Sequence, residues 1–332
     1  MSAVLPLPRL LVLSLGGTIT MTASADGGIL PTLGAAELVA AVPGLAEVAQ
    51  IEARSPLKVG SASLTLENIA AVAADISAGF AQGVDGAIVI QGTDTIEETA
   101  FALDLLVQDE RPVVVVGAMR GPQQPGADGP ANLHAAALVA ISKEARGLGA
   151  LVVMNDEIHA ARFVRKAHTA LTSAFVSEMA GPLGLVAEGR VRMLARVVRP
   201  SLPALAVTGA LPPVALLKIA MGDDGRLLRA VPELGFAGLV IEGAGAGHVP
   251  AAIAASVGEV AAQMPVVLAS RTLAGPVFER TYAYPGSEID LLTRGVLCAG
   301  LLTGVKARLL LTLALACGWD RTALARAFTA YG

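Results

Sequence analysis

Short, predominantly apolar runs recur along the chain at 10–15, 88–90, 112–116 and 151–154. Runs of this length, rich in β-branched residues and bounded by glycines, predict strands buried on both faces, as in a parallel sheet. Between them apolar positions fall at helical spacing. Ile96, Ala100, Leu103, Leu106 and Val107 mark one buried face after the second run, and helices are also expected over 34–42, 66–80 and 132–141. The more alternating stretch 47–54 reads as one further strand. The C-terminal part repeats the pattern, with strands expected at 215–220, 238–241 and 266–269 and helices at 250–263, 305–316 and 321–331. Such alternation predicts an α/β fold: a doubly wound parallel sheet in an N-terminal domain, and a second, smaller α/β domain.

The proline-rich stretch 199–213 is the expected linker, leaving an N-terminal α/β catalytic domain over 1–198 and a C-terminal α/β domain over 214–332. With 332 residues, 54% of them hydrophobic, the chain can bury a core in each. A net charge of −4 without a lysine or arginine cluster excludes a nucleic-acid partner and points to a small molecule. The uncharged stretch 201–217 contains Pro203, Pro212 and Pro213 and is shorter than the ~20 residues of a membrane span, so no membrane partner is expected. Arg9 and the run 10–15 lead straight into Gly16-Gly17, which is a first strand rather than a leader. Cys298 and Cys317 lack any metal-ligand spacing, so buried reduced thiols, no metal site and a cytoplasmic location are expected.

Polar chemistry gathers where strands end. The run 88–90 opens into Gln91-Gly92-Thr93-Asp94-Thr95, displaying a hydroxyl, a carboxylate and backbone NH groups at a strand's carboxyl end, where open α/β sheets bind ligands. The same residue types also cap helices. The run 10–15 opens into Gly16-Gly17-Thr18-Ile19-Thr20, and the stretch from there to Leu33, with Asp26-Gly27-Gly28, has the composition of a mobile lid. Gly60-Ser61 presents a hydroxyl just before the helix at 66–80. Lys166, near Arg162 and Arg165, fits either a solvated surface charge or an amine of lowered basicity. His134, His159, His168 and His248 lie in no hydrolase motif, so Thr18, Thr93, Asp94 and Lys166 are the candidate hydroxyl–lysine–carboxylate set, with an oxyanion hole at the Gly92-Thr93 turn. The glycine-rich 242–248 lacks the G-x-G-x-x-G spacing of a dinucleotide site.

In this combination the sequence resembles the bacterial-type L-asparaginases and glutaminase-asparaginases. Gly16-Gly17-Thr18-Ile19 is similar to that family's first signature, and Gln91-Gly92-Thr93-Asp94-Thr95 with Glu97-Glu98-Thr99-Ala100 to its second. Gly117-Ala118-Met119-Arg120, the run 127–133 and the run 152–156 extend the likeness, which continues through 282–308. The resemblance implies hydrolysis of the side-chain amide of L-asparagine to L-aspartate and ammonia through a threonine acyl-enzyme, without metal or cofactor. Thr18 is then the nucleophile, and Thr93, Asp94 and Lys166 are a second triad. Substrate binding falls to Ser61, Gly92, Thr93, Asp94, Ala118 and Glu288. Glu288 resembles the family's glutamate that completes the ammonium site of a neighbouring subunit, so a homotetramer built as a dimer of dimers, with the active site shared between subunits, is implied.

Three departures stand out. The family's lid tyrosine has no counterpart, since no tyrosine precedes Tyr282. Ala62 stands where a glutamine commonly follows the substrate-binding serine, and Ala246 where the second domain's glycine-rich loop has an asparagine. They leave two alternatives beside L-asparagine hydrolysis: a non-catalytic amino-acid-binding protein on the same fold, or a hydrolase of a different amide.

Overall fold

The computed structural model describes residues 6–23, 29–31 and 33–332. The chain divides into two compact units, Met1–Arg199 and Pro200–Gly332. In the first, β1 (Arg9–Ser14) is followed by a small antiparallel hairpin of β2 (Met21–Ala23) and β3 (Ile29–Pro31). Next come α1 (Ala35–Ala40), α2 (Leu45–Val48), β4 (Gln50–Arg54), α3 (Leu66–Ala81) and β5 (Gly86–Ile90). After α4 (Ile96–Leu106), β6 (Val113–Val116), α5 (Gly129–Ala140) and β7 (Ala150–Met154), the unit closes with short strands. These are β8 (Glu157–Ala160), β9 (Arg165–Lys166), β10 (Phe175–Val176), β11 (Gly184–Ala187) and β12 (Arg190–Met193). Residues 24–28 and 32 of the lid expected before Leu33 lie outside the described residues.

Among the described residues the main sheet has eight strands in the order β12-β11-β8-β7-β6-β5-β1-β4. Pairing is parallel from β4 through β7. Every residue of β5, β6 and β7 is buried, as continuous apolar runs require when helices cover both faces. Beyond the parallel strands the sheet carries an antiparallel edge: β7–β8, β8–β11 and β11–β12 pair antiparallel. The cause is local: Asn155 and Asp156 both take positive φ (53° and 61°), a two-residue turn whose twist folds the chain straight back on β7. Glu188 and Gly189 (φ 52° and 67°) do the same between β11 and β12.

Helix ends follow their caps. Thr65 and Asn68 bond each other's backbone NH at the start of α3, at 3.2 and 3.0 Å. The helix α5 starts at Gly129, three residues before the expected 132, because Asp128 occupies the cap position and Pro130 is tolerated in the first turn.

The second unit carries β13 (Val214–Lys218), α6 (Arg226–Ala230), β14 (Gly238–Gly243), α7 (Ala254–Ala261) and β15 (Val266–Ser270). It continues with α8 (Glu288–Thr293), β16 (Leu297–Cys298), α9 (Gly304–Ala316) and α10 (Arg321–Thr329). Its sheet, β13-β14-β15-β16, is parallel throughout, and the largely buried α9 packs on β13, β14 and β15. No helix among the described residues is long and apolar enough to cross a membrane.

Candidate active site

The carboxyl ends of neighbouring parallel strands bring three polar turns together. Leu15 NH donates to the Ile90 carbonyl at 2.8 Å, and Val59 NH to the Leu15 carbonyl at 3.0 Å, which fixes the turn after β1 between those after β5 and β4. Gly16 and Gly17 take φ of +111° and +91°, open to glycine and strained for other residues. A Cβ on Gly92 would meet Ser61 Oγ at 2.7 Å, so the Ser61 turn also lies against this point.

Thr93, Asp94 and Thr95 form one turn of 3-10 helix between Gly92 and α4. Ser61 Oγ accepts the Asp94 NH at 3.2 Å, while the Ser61 carbonyl accepts from Thr95 Oγ1 at 3.0 Å. From the far side, Gln91 Nε2 donates to both the Gly92 carbonyl and Thr95 Oγ1 at 3.2 Å. Thr93 is buried, whereas the Asp94 side chain is 65% exposed.

Lys166 completes the cluster. It sits on β9, where pairing with Phe175 of β10 holds the backbone, and its Nζ lies 2.9 Å from Thr93 Oγ1 and 2.8 Å from Asp94 Oδ1. With 16% of its side chain exposed, it is no freely solvated surface charge. An exposed carboxylate gains little stability from such a pair; what the contact does is hold the amine on the threonine hydroxyl.

The first unit thus gathers Ser61, Gly92, Thr93, Asp94 and Lys166 into one hydrogen-bonded or touching set. Thr18 opens the 3-10 turn that follows Gly17 and is half-buried. Ala118, buried, lies in the turn just beyond β6. Glu288 belongs to the second unit.

Two residues not singled out individually in the sequence shape the Ala118 turn. Asp128 accepts the NH of Met119 at 3.0 Å and of Arg120 at 2.9 Å. Asn132 Nδ2 donates to the Gly117 carbonyl and to Asp128 Oδ2, both at 3.1 Å, while its Oδ1 accepts the Asn155 NH at 2.9 Å. An aspartate before Gly-Pro at a helix start was the available signal.

Glu288, at 0% exposure, sits in a dense polar pocket of its own unit. Its Oε1 accepts the NH groups of Thr281 and Tyr282 at 2.9 and 2.6 Å, and its Oε2 lies 3.0 Å from His248 Nε2. Burial pushes the carboxyl up, but the NH groups of Tyr282, Glu288 and Thr281 together with His248 outweigh it and hold Glu288 below the usual carboxylate range.

Fold and site together define a two-unit α/β protein with a threonine–lysine–aspartate centre at the end of a parallel sheet. The family description "Asparaginase, N-terminal" matches residues 9–199, and "Glutaminase/Asparaginase C-terminal domain" matches 213–328. An L-asparaginase of Bacillus licheniformis is 33% identical over 93% of this chain and 95% of its own. A probable L-asparaginase of Deinococcus radiodurans is 36% identical, covering 97% and 98%. The crystal structure of a probable cytoplasmic L-asparaginase from Campylobacter jejuni superimposes with a TM-score of 0.86 at 33% identity, covering 97% of this chain and 99% of that one. The chain belongs to the asparaginase family.

Proposed function

We propose that this chain hydrolyses the side-chain amide of L-asparagine to L-aspartate and ammonia through a threonine acyl-enzyme. The observation that carries the reading is Lys166 Nζ held between Thr93 Oγ1 and Asp94 Oδ1 at a strand's carboxyl end. Amide cleavage needs a hydroxyl made nucleophilic, a route for its proton and a place for negative charge on the carbonyl oxygen. In this reading Thr18 attacks the amide carbon. Thr93 and Lys166 pass protons between hydroxyl and amine, while Asp94 orients the ammonium form. Backbone NH groups at the Gly92-Thr93 turn face the developing oxyanion.

Ser61 and Asp94 take the substrate's α-carboxylate and α-ammonium, and the backbones of Gly92 and Ala118 line the amide end. Glu288 completes the ammonium site of a neighbouring copy in a homotetramer. The first unit is the catalytic domain, residues 199–213 are the linker, and the location is cytoplasmic. The two unpaired cysteines and the name of the Campylobacter jejuni structure support that location.

The experiment is ammonia release by the purified protein from L-asparagine, D-asparagine, L-glutamine and capped amides, with Thr18→Ala and Thr93→Ala alongside. Turnover of L-asparagine that both variants abolish is expected. Full activity in either variant refutes the assigned roles. Turnover of another amide alone refutes the substrate, and sedimentation tests the tetramer.

A further inference from the structure

Gln91 is fully buried one residue before Gly92, and the amide-hydrolysis reading gives it no task. Its backbone still belongs to the sheet, with the NH donating to the Val116 carbonyl at 3.1 Å, while its side chain reaches forward into the turn. There Nε2 lies 3.2 Å from the Gly92 carbonyl and 3.2 Å from Thr95 Oγ1. A carbonyl has no proton to give, so the side-chain amide presents its NH2 group to Gly92 and turns its oxygen away. That oxygen, Oε1, is buried and meets no donor among the described residues.

A buried carbonyl without a donor works against folding, and an apolar side chain of the same size would not carry that cost. Stability alone therefore does not account for a glutamine at this position. What the glutamine supplies is two protons, one aimed at a hydroxyl and one at a peptide bond. The Thr95 hydroxyl passes its own proton to the Ser61 carbonyl at 3.0 Å, which ties this turn to the one after β4. The other contact falls on the peptide between Gly92 and Thr93. No peptide among the described residues is cis, and in a trans peptide the carbonyl and the following NH point in opposite directions. Holding the Gly92 oxygen therefore fixes the direction of the Thr93 NH. As the first NH of its 3-10 turn, that group has no acceptor within the turn. A hydrogen bond accepted by the carbonyl also makes the NH of the same peptide a stronger donor, because both ends share one polarised amide.

We propose that Gln91 is a positioning residue for the oxyanion: its side-chain amide sets the plane of the Gly92–Thr93 peptide, so that the Thr93 NH is held on the substrate's amide oxygen as charge develops there. The inference rests on the amide-hydrolysis reading and names what orients its oxyanion donor. Gln91 itself touches no substrate. A donor preset in this way does not reorganise when the charge appears, so its effect falls on the transition state rather than on ground-state binding.

The test is steady-state ammonia release from L-asparagine by the full chain, with Gln91→Met and Gln91→Leu beside the parent. Methionine keeps an unbranched side chain of similar length and donates nothing; leucine is a second apolar replacement of similar size. In both, kcat is expected to fall about tenfold or more, short of the ~100- to 1,000-fold that follows outright loss of an oxyanion donor, because the NH is loosened and not removed. KM stays within about twofold of the parent. The side-chain aldehyde analogue of L-asparagine, which forms a tetrahedral adduct with the nucleophile, loses affinity by the same factor as kcat. Thr95→Val, which breaks the contact with Ser61, is the contrast, and its KM rises more than its kcat falls. An unchanged kcat in Gln91→Met overturns the proposal, and if its KM instead rises as in Thr95→Val, Gln91 acts on Ser61 alone. Failure of both Gln91 variants to fold also overturns it, since the residue is then structural. A parent that releases no ammonia from L-asparagine overturns the amide-hydrolysis reading itself, a result distinct from an active parent with unaffected variants.

Discussion

A Cβ built on Gly17 lies 2.0 Å from the backbone nitrogen of Gly92, so these two glycines are the contact across which the turns after β1 and β5 meet. The proposed nucleophile Thr18 and the lysine's partner Thr93 are carried on those two turns, one residue beyond each glycine. Any side chain at 17 therefore acts on both.

Gly17→Ala forces the two backbones apart and places a side chain at φ +91°, a combination costing about 3 kcal/mol. Thermal melting is expected to fall and ammonia release to drop by roughly 100-fold, as expected for a nucleophile displaced by about an ångström. Gly60→Ala is the matched control. It lies next to Ser61 at φ −66° with nothing within 4 Å of the new Cβ, so equal stability or a gain of about 0.4–1 kcal/mol is expected.

Lys166→Met and Asp94→Asn separate chemistry from stability. The Lys166–Asp94 pair has a well-exposed carboxylate, so losing it costs at most about 1 kcal/mol. Ammonia release in Lys166→Met is expected to fall by about a thousandfold or more, with a urea midpoint close to that of the parent. A large midpoint shift with only slight loss of turnover would mark Lys166 as structural instead.

How far the sequence revealed this arrangement depends on how local each signal is. The runs that became β1, β5, β6 and β7 were readable because burial on both faces demands continuous apolar residues. The strands β8 to β12 have two to four residues each and carry no usable period. The antiparallel edge is set by their turns, Asn155-Asp156 and Glu188-Gly189, whose positive φ values appear only in the structure. The motif at 91–95 announced a polar turn, yet nothing in spacing ties it to Lys166, which lies 73 residues from Thr93. That partnership exists only once β9 pairs with β10. In the same way, forty positions separate His248 from Glu288, and a buried carboxylate facing an imidazole has no sequence signature.

Asp128 holds the Ala118 turn by three acceptor contacts, to the NH groups of Met119 and Arg120 and to Asn132 Nδ2. Asp128→Ala leaves those donors without their partner, at a cost of about 1–3 kcal/mol. Because Ala118 is assigned to binding, KM is expected to rise more than kcat falls. Asp128→Asn keeps one acceptor oxygen and should recover part of the loss. Steady-state kinetics on the pair of variants checks this, and an unchanged KM in Asp128→Ala removes the turn from the substrate site.

His159 gives the first unit a pH dependence of predictable sign. The ring is 1% exposed, with Nδ1 3.0 Å from Ser177 Oγ and Nε2 3.5 Å from the half-exposed Glu157 carboxylate. Burial pushes its pKa down from 6.5 to about 4, so the folded chain keeps the imidazole neutral where the unfolded chain takes up a proton. Between those two values the unfolded state binds more protons, and stability therefore rises with pH across that window. The contribution is fully present above about pH 6.5, declines as pH falls toward 4, and is lost below it. A shift of this size corresponds to roughly 3 kcal/mol. Urea unfolding at pH 7.5, 5.5 and 4, with His159→Gln beside the parent, is the measurement. The parent should lose stability across the series, and the variant, with nothing to protonate at this position, should lose roughly 3 kcal/mol less. Parallel losses in the two proteins would show that His159 is not the group that sets the acid limit of this unit.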